Sequence, residues 1–271
     1  MIEKIFVFFF GAAIGSFLNV CIHRMPIEGY SLIRPRSHCP NCKKLIFWYD
    51  NVPLLSYVIL RGRCRFCRQR IRFRYFVVEL LTAVMFLLLY SLFGPSYNFF
   101  FCALFLCGLI IATFVDIQHK IIPDEISLGG ILAGFILRTA SGIGISPLTF
   151  NPRPLLDSLL GIIVGGGIIF LTGYLFDLIY FKLLKRPAIQ GETQSMGDGD
   201  VKLLAMIGAF LGWERAILTF FIAPFFGAVI GVINLIAKKD HTIPYGPFLS
   251  LGAVLSLFWA GQIIGLFLHL R

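Results

Sequence analysis

Charged residues are scarce in this sequence. Asp, Glu, Lys and Arg together make up 14% of its 271 residues, whereas soluble domains carry about 25%. Hydrophobic residues make up 58% of the chain, and 29 residues are Phe. This apolar surface exceeds what one globular core of that length could hide, which excludes an ordinary soluble domain. We therefore expect lipid to solvate most of the chain.

Several catalytic patterns are also absent. There is no His-Glu-x-x-His and no Gly-x-Ser-x-Gly, which argues against the common metalloprotease and serine hydrolase classes. No Gly-rich loop of the dinucleotide type follows a strand. The formal charge of +10 would suggest nucleic acid in a soluble protein. In a membrane protein positive charge mainly sets topology, so we predict no nucleic-acid partner.

Long apolar runs dominate what is present. A run of about 20 mostly apolar residues can cross a bilayer, and these runs predict an all-α, polytopic membrane bundle of about eight transmembrane helices. The first run lacks a small-residue cleavage site, which indicates a retained helix rather than a signal peptide. The sixth is short and rich in small residues, so it is either a spanning helix packed tightly inside the bundle or a partial one. The eight runs are 5–22, 76–93, 99–115, 127–145, 155–181, 201–213, 215–237 and 247–270.

Basic residues are distributed unevenly between the two faces that eight crossings would create. One face receives 19 Lys and Arg and the other five, which places the basic face in the cytoplasm and both termini outside. The loop 24–75 alone carries twelve. Its basic runs are expected to lie against anionic headgroups; the alternative is a docking surface for an acidic partner. The predicted cytoplasmic segments are 24–75, 116–126, 182–200 and 238–246.

Four of the seven cysteines form two Cys-x-x-Cys pairs. Two such pairs complete a tetrahedral zinc site, and four thiolates leave no open position for water, so the predicted site is structural. The alternatives are redox dithiols and disulfides, but a cytoplasmic loop disfavours disulfides and a redox pair usually occurs once. The predicted zinc ligands are Cys39, Cys42, Cys64 and Cys67. The sequence thus predicts three parts: a first transmembrane helix (1–23), a cytoplasmic zinc-binding loop with four cysteines (24–75) and a transmembrane core (76–271).

Two acidic positions stand out among the 14 Asp and Glu residues. Asp116 follows the third apolar run and Asp200 precedes the sixth, so both fall at the same membrane face. Facing carboxyl groups in a partly dry site share one proton and can hold a water, as in aspartyl proteolysis. The alternative is that Asp116 caps a helix or pairs with Lys120, while Asp200 caps the next helix. Glu79 lies at membrane depth, where it either has a function or pairs with a nearby arginine such as Arg74 or Arg72.

Motifs along almost the whole chain resemble the type IV prepilin peptidase family, which belongs to the Gly-x-Gly-Asp membrane aspartyl proteases. The two cysteine pairs are part of this resemblance, as are Arg74-Tyr75 with Glu79 and Asp116 with Ile122-Pro123-Asp124. The remaining matches are Gly15-Ser-Phe-Leu-Asn19-Val-Cys-Ile-His-Arg24-Met-Pro26, Gly197-Asp-Gly199-Asp200-Val-Lys202-Leu203-Leu204, Gly208-Ala-Phe-Leu-Gly212-Trp213 and Ile243-Pro244-Tyr-Gly246-Pro247-Phe248.

By this resemblance Asp116 and Asp200 are the catalytic pair, Asp198 occupies the variable position, and Lys202 shapes the site. The family removes the short basic leader of type IV prepilins and secretion pseudopilins at the cytoplasmic face of the inner membrane. Many members then N-methylate the new amino terminus with S-adenosylmethionine, and the residues that would bind this methyl donor stay unknown. We expect the acids Asp124 and Glu125 to help recognise the basic leader.

Two other function classes remain open from the residues alone. Asp198 and Asp200 could hold Mg²⁺ in a metal-dependent membrane transferase that acts on a lipid-linked phosphate. Glu79 and Asp116 could instead form the proton relay of a transporter. Leader cleavage in the presence of EDTA would distinguish the protease from both.

Overall fold

The computed structural model describes residues 2–27, 29, 31–34, 36–140, 153–183, 196–236 and 244–268. Within these residues the regular secondary structure is helical, with a short 3₁₀ turn at Trp48–Asn51 and isolated bridges in place of any strand. A π-helical turn, Leu178–Leu183, continues the sixth helix. The α-helices are α1 (Ile2–Arg24), α2 (Leu55–Ile59), α3 (Arg74–Phe93), α4 (Tyr97–His119), α5 (Asp124–Ala140), α6 (Pro154–Asp177), α7 (Asp198–Leu211), α8 (Trp213–Ile236) and α9 (Gly246–Leu268).

The predicted all-α membrane fold is confirmed, and each of the eight apolar runs overlaps one α-helix of the described residues. Six helices of the described residues are long and apolar enough to cross a membrane: α1, α3, α4, α6, α8 and α9. The other two are shorter, since α5 has 17 residues and α7 has 14. At 1.5 Å per residue α7 is about 21 Å long, less than the roughly 30 Å of hydrocarbon. Of the two alternatives for the sixth run, a partial inner helix therefore describes α7 better.

Some predicted features lie outside the described residues. They include the end of the fourth apolar run, 141–145, and most of the predicted cytoplasmic segments 182–200 and 238–246. Ile243 of the last motif is also outside them.

The chain forms two compact units, Met1–Ile111 and Ala112–Arg271, called here the N-terminal and C-terminal units. The three-part division at residues 23 and 75 stays a prediction. In the N-terminal unit, α1 packs along α3. Their backbones approach closely at Gly15, where an added Cβ would lie 2.8 Å from the Cα of Glu79. Small residues permit such contact in lipid, where apolar attraction between helices is weak.

The C-terminal unit is built around α7, which packs against α5, α6, α8 and α9. Every residue from Leu203 to Leu211 is buried. The closest contact is with α6, because a Cβ on Gly161 would overlap the carbonyl oxygen of Gly208 and one on Gly165 would lie 2.5 Å from that of Leu204. The small residues that predicted tight packing are thus at the helix contacts.

A buried ion pair closes the carboxyl-terminal end of α7. Arg138 on α5 donates to Asp157 on α6 and to the carbonyl oxygen of Phe210. Both charged side chains are buried. The helix then ends at Gly212, whose φ of +88° favours glycine. Because a free helix end in a dry environment leaves carbonyl groups unsatisfied, the arginine supplies a donor where water cannot.

Candidate functional site

Asp116 lies in the last turn of α4, within the C-terminal unit. Its side chain is almost fully enclosed, with 5% of the residue exposed. The backbone N–H of Gly246, at the start of α9, donates to Asp116 Oδ2 over 2.8 Å. The chain leaves α4 at Lys120, which has a positive φ of 55°. Asp116 therefore pairs with the amino terminus of another helix, and not with solvent.

Asp200 lies in the first turn of α7 and is half-buried, whereas Asp198 is exposed. Burial, together with the negative charge of Asp116, raises the pKa of Asp200 to about 7. A neighbouring charge shifts the pKa of a carboxyl group only at short range. The two aspartates that the sequence singled out thus lie close enough to interact electrostatically, whereas Asp198 is exposed.

Two glycines make room for this site. A Cβ on Gly246 would lie 2.7 Å from Asp116 Oδ2, and a Cβ on Gly199 would lie 3.1 Å from the Cβ of Ile122. The first contact would displace the carboxylate, and the second would push α7 away from the segment that follows Asp116. Both glycines are therefore required by close approach.

Tyr245 borders the same site from the segment before α9. Its pKa is raised to about 12, first by burial and second by the charge of Asp200. Its phenol therefore stays neutral over the physiological range and can donate a hydrogen bond. In the sequence, Tyr245 was visible only as a member of a matching motif, since no pattern links it to Asp200.

Lys202 and Asp124 form an ion pair beside the site. Lys202 Nζ lies 2.6 Å from Asp124 Oδ1, with the aspartate largely exposed. The pair joins the first turn of α7 to the first turn of α5. Lys202 thus contacts a residue of the segment that follows Asp116, and the expectation that it shapes the site stays a prediction. Any recognition of a leader by Asp124 would compete with this lysine.

The four predicted zinc ligands form a single cluster in the N-terminal unit. Their sulfur atoms all lie within 4.8 Å of one another, and Cys39 Sγ is 3.8 Å from Cys67 Sγ. A tetrahedral site with Zn–S bonds of about 2.3 Å has sulfurs about 3.8 Å apart. The donor set and its spacing therefore fit a zinc ion.

The two cysteine pairs have the same backbone geometry. The N–H of Lys43 donates to the carbonyl oxygen of Cys39 over 2.9 Å, and the N–H of Arg68 donates to that of Cys64 over 3.0 Å. Lys43 and Arg68 both have positive φ, 57° and 58°. Each pair is thus a tight turn that directs two sulfurs to one point.

Polar groups stabilise this cluster of four cysteines. Hydrogen bonds from the Gln69 backbone and the Asn41 side chain lower the pKa of Cys67 to about 6, which favours the thiolate that binds metal. Arg65 donates twice to Asp50, over 2.5 and 2.7 Å. This bidentate pair ties the second cysteine turn to the 3₁₀ turn at Trp48–Asn51. Among the other cysteines, Cys21 and Cys102 are buried and Cys107 is partly buried.

Two features were not predicted from the sequence. Glu79 pairs with neither arginine that was considered, because its Oε2 accepts the backbone N–H of Leu54 over 2.8 Å. The second feature is the buried ion pair of Arg138 with Asp157. Charge at membrane depth was a signal for both, but the sequence does not contain the identity of the partners.

Two protein-family models and several known proteins match this chain over most of its length. A model of the bacterial Peptidase A24 N-terminal domain matches residues 9–93, and a model of the Type IV leader peptidase family matches residues 103–232. A prepilin leader peptidase/N-methyltransferase of Myxococcus xanthus is 37% identical over 86% of this chain and 63% of its own length. Proteins of the same name from Aeromonas salmonicida and Burkholderia pseudomallei are 31% and 34% identical, over 91% and 84% of their lengths. No solved structure matches.

Proposed function

Since the chain belongs to the type IV leader peptidase family, we propose that it is a membrane aspartyl endopeptidase in which Asp116 and Asp200 are the catalytic pair. It removes the leader of a prepilin or pseudopilin and N-methylates the new amino terminus, the two activities in its relatives' names. The observation that carries the assignment is the electrostatic coupling of two aspartates from separate helices. The phosphate transferase and the transporter have no support among these relatives.

The environment of the pair assigns different roles to its members. Asp116 accepts a backbone N–H from Gly246 at the start of α9. Asp200 has a pKa of about 7 because it is buried beside that charge, so it holds a proton at and below neutral pH. Asp116 is therefore the base and Asp200 the acid.

The reaction then follows from proton positions. Asp116 takes a proton from a water molecule while the water oxygen bonds to the scissile carbonyl carbon, and Asp200 gives its proton to the carbonyl oxygen. The resulting gem-diol collapses when its nitrogen accepts the proton now on Asp116 and the C–N bond breaks. Asp200 recovers its proton from the gem-diol hydroxyl as the new carboxyl group forms, which restores the pair.

The site lies at the ends of apolar helices, which suits a substrate with a hydrophobic helix and a polar leader. The helix can stay in lipid while the leader reaches Asp116 and Asp200. The excess of Lys and Arg on one face, 19 against five, supports a cytoplasmic position for the site and for the loop 24–75 in the inner membrane.

The four cysteines support a structural zinc ion. Cys39, Cys42, Cys64 and Cys67 would hold it, and it would supply folding free energy rather than a reactive position. S-adenosylmethionine is the methyl donor that the family resemblance implies. Its binding residues stay unassigned, and no step of the cleavage depends on them.

Co-expression with a prepilin tests the catalytic pair. We expect Asp116→Asn and Asp200→Asn each to lower processing by about 10²- to 10⁴-fold, the usual contribution of acid–base catalysis. The product size on a gel and the amount of enzyme in the membrane are measured together. Asp198→Asn is the matched control, because it removes an exposed carboxylate two residues away. Full processing by either of the first two variants would refute the assignment.

A further inference from the structure

Residues 48–59 of the N-terminal unit combine a buried anchor with an exposed apolar surface; we call them the interfacial segment. Its anchor is Leu54, which is buried in one cluster with Ala12 of α1 and Ala83 of α3. Phe8 and Phe76 pack against the same cluster. Ala83 is about 13 Å along α3 from its first residue, and both helices are candidate membrane spans. Leu54 therefore reaches membrane depth, although a cytoplasmic loop was expected here.

The backbone at this anchor is strained and stabilised by Glu79. Leu54 has φ 61° and ψ −52°, and the N–H of Leu55 donates to the carbonyl oxygen of Pro53 over 2.6 Å. This is a γ-turn of the rare positive-φ kind, which persists only when its surroundings fix it. A backbone N–H at membrane depth must also be satisfied inside the protein. The Glu79 carboxylate accepts it.

The helix that follows the anchor has two different faces. Tyr57 of α2 points inward, with its ring 5.3 Å from that of Phe76 and 6.3 Å from that of Phe73. Val58 and Ile59 point outward and are 63% and 73% exposed. Trp48, at the other end of the interfacial segment, is 77% exposed. We call Trp48, Val58 and Ile59 the patch. Large exposed apolar surface in water favours aggregation.

Two features indicate that lipid covers these exposed side chains: the apolar surface of α3 and the arginines that follow α2. On α3, which contacts the anchor and qualifies as a membrane span, exposed apolar side chains include Leu80, Val84 and Leu88. Exposed arginines follow α2 directly in the chain: Arg61, Arg63, Arg68, Arg70 and Arg72. Apolar side chains and a Trp that precede a run of exposed cations in the chain are typical of the acyl–headgroup boundary of an anionic leaflet.

We propose that the interfacial segment is embedded in one leaflet of the membrane, with Glu79 as the residue that holds it there. Trp48, Val58 and Ile59 contact lipid at the acyl–headgroup boundary, and the arginines that follow contact anionic headgroups. Because Asp50 of this segment binds Arg65 of the second cysteine turn, the cluster of four cysteines is held at the membrane surface.

Fluorescence of Trp48 tests this proposal in the full chain. Trp213→Phe and Trp259→Phe leave Trp48 as the only tryptophan, and the protein is placed in nanodiscs of phosphatidylethanolamine and phosphatidylglycerol with or without bromine on the acyl chains. We expect brominated chains to quench Trp48 and iodide in the buffer to quench it weakly. If the double variant is poorly produced, the difference between wild type and Trp48→Phe measures the same signal.

Further variants distinguish a specific loss of lipid contact from a general loss of structure. Ile59→Asp in the patch should largely abolish quenching by bromolipid, whereas Ile33→Asp, at an exposed apolar position outside the segment, should not. Glu79→Gln keeps an acceptor oxygen and should quench as the parent does, but Glu79→Leu should lose quenching. Strong quenching by iodide with none by bromolipid would show a solvated loop. Protection from both quenchers would show a protein cover, such as a second copy. Either result overturns the proposal.

Discussion

Asp116 and Asp200 are the same residue type, but their surroundings differ. The N–H of Gly246 donates to Asp116, and burial beside the resulting charge raises the pKa of Asp200 to about 7. A coupled pair titrates with two apparent pKa values that belong to both groups. The width of the pH–rate profile therefore reports the separation between these two apparent pKa values.

At this scale we predict a bell-shaped profile of kcat/KM whose alkaline limb lies near pH 7. Below that pH Asp200 keeps the proton that it must donate, and above it the proton is lost. Tyr245 borders Asp200. Tyr245 does not contribute, because its pKa of about 12 keeps it neutral. Gly246→Ala should lower kcat/KM by about 10- to 100-fold, the value of a charge-assisted hydrogen bond. It should also move the acidic limb upward, because Asp116 ionises less easily.

Gly129→Ala on α5 is the control for this experiment, since its added Cβ meets nothing within 4 Å. Its profile should match that of wild type. A Gly246→Ala enzyme that loses rate with both limbs in place would show a packing defect, and would contradict the role given to the amide.

The candidate site was predictable from the sequence in part. Asp116, Asp200 and the four cysteines were chosen because of residue type, spacing and position at one membrane face. The contribution of Gly246 was not predictable, because 130 residues separate it from Asp116 and a backbone N–H has no sequence signature. The choice of Asp200 over Asp198 rested on resemblance, and the different exposure of the two supplies a physical reason.

At the scale of elements, the contact between α6 and α7 fixes where Asp200 can be. The backbones meet at Gly161 and Gly208, and Ser158 Oγ donates to the carbonyl oxygen of Ala209 over 2.9 Å. At the end of α7 the Arg138–Asp157 pair adds a second, polar restraint. The small residues were visible in the sequence. The ion pair was not, because its members lie on different helices whose relative rotation the sequence does not specify.

We predict that Gly161→Ala destabilises the protein by about 1–3 kcal/mol, as overpacking does in well-packed cores. The added Cβ would overlap the carbonyl oxygen of Gly208, so α7 must shift and carry Asp200 away from Asp116. Thermal unfolding in detergent and prepilin cleavage should both decline. Gly167→Ala on the same helix is the matched control, since its Cβ meets nothing within 4 Å. Equal stability of the two variants would mean that the α6–α7 contact tolerates an added Cβ, and the prediction would be wrong.

At the scale of the whole molecule, the two proposed chemistries reside in different units. The cluster of four cysteines belongs to the N-terminal unit and the aspartates to the C-terminal unit. The described contacts that hold Asp116 and Asp200 come from Gly246, Gly197 and the segment around Ile122. All of these residues lie in the C-terminal unit. Metal binding should therefore stabilise one unit without taking part in peptide cleavage.

Removal of the metal tests this separation. Structural zinc contributes about 10–16 kcal/mol of binding free energy in small zinc peptides, so its loss should unfold the loop that carries the cluster. We predict that Cys39→Ser lowers bound zinc and exposes the arginines of this loop to trypsin, while the rate of leader cleavage stays unchanged. Cys102→Ser, a buried cysteine outside the cluster, should change none of the three. Zinc content, trypsin fragments and prepilin cleavage are measured on one preparation. Cleavage that falls in proportion to bound zinc would show that the protease depends on the metal, and the separation would be wrong.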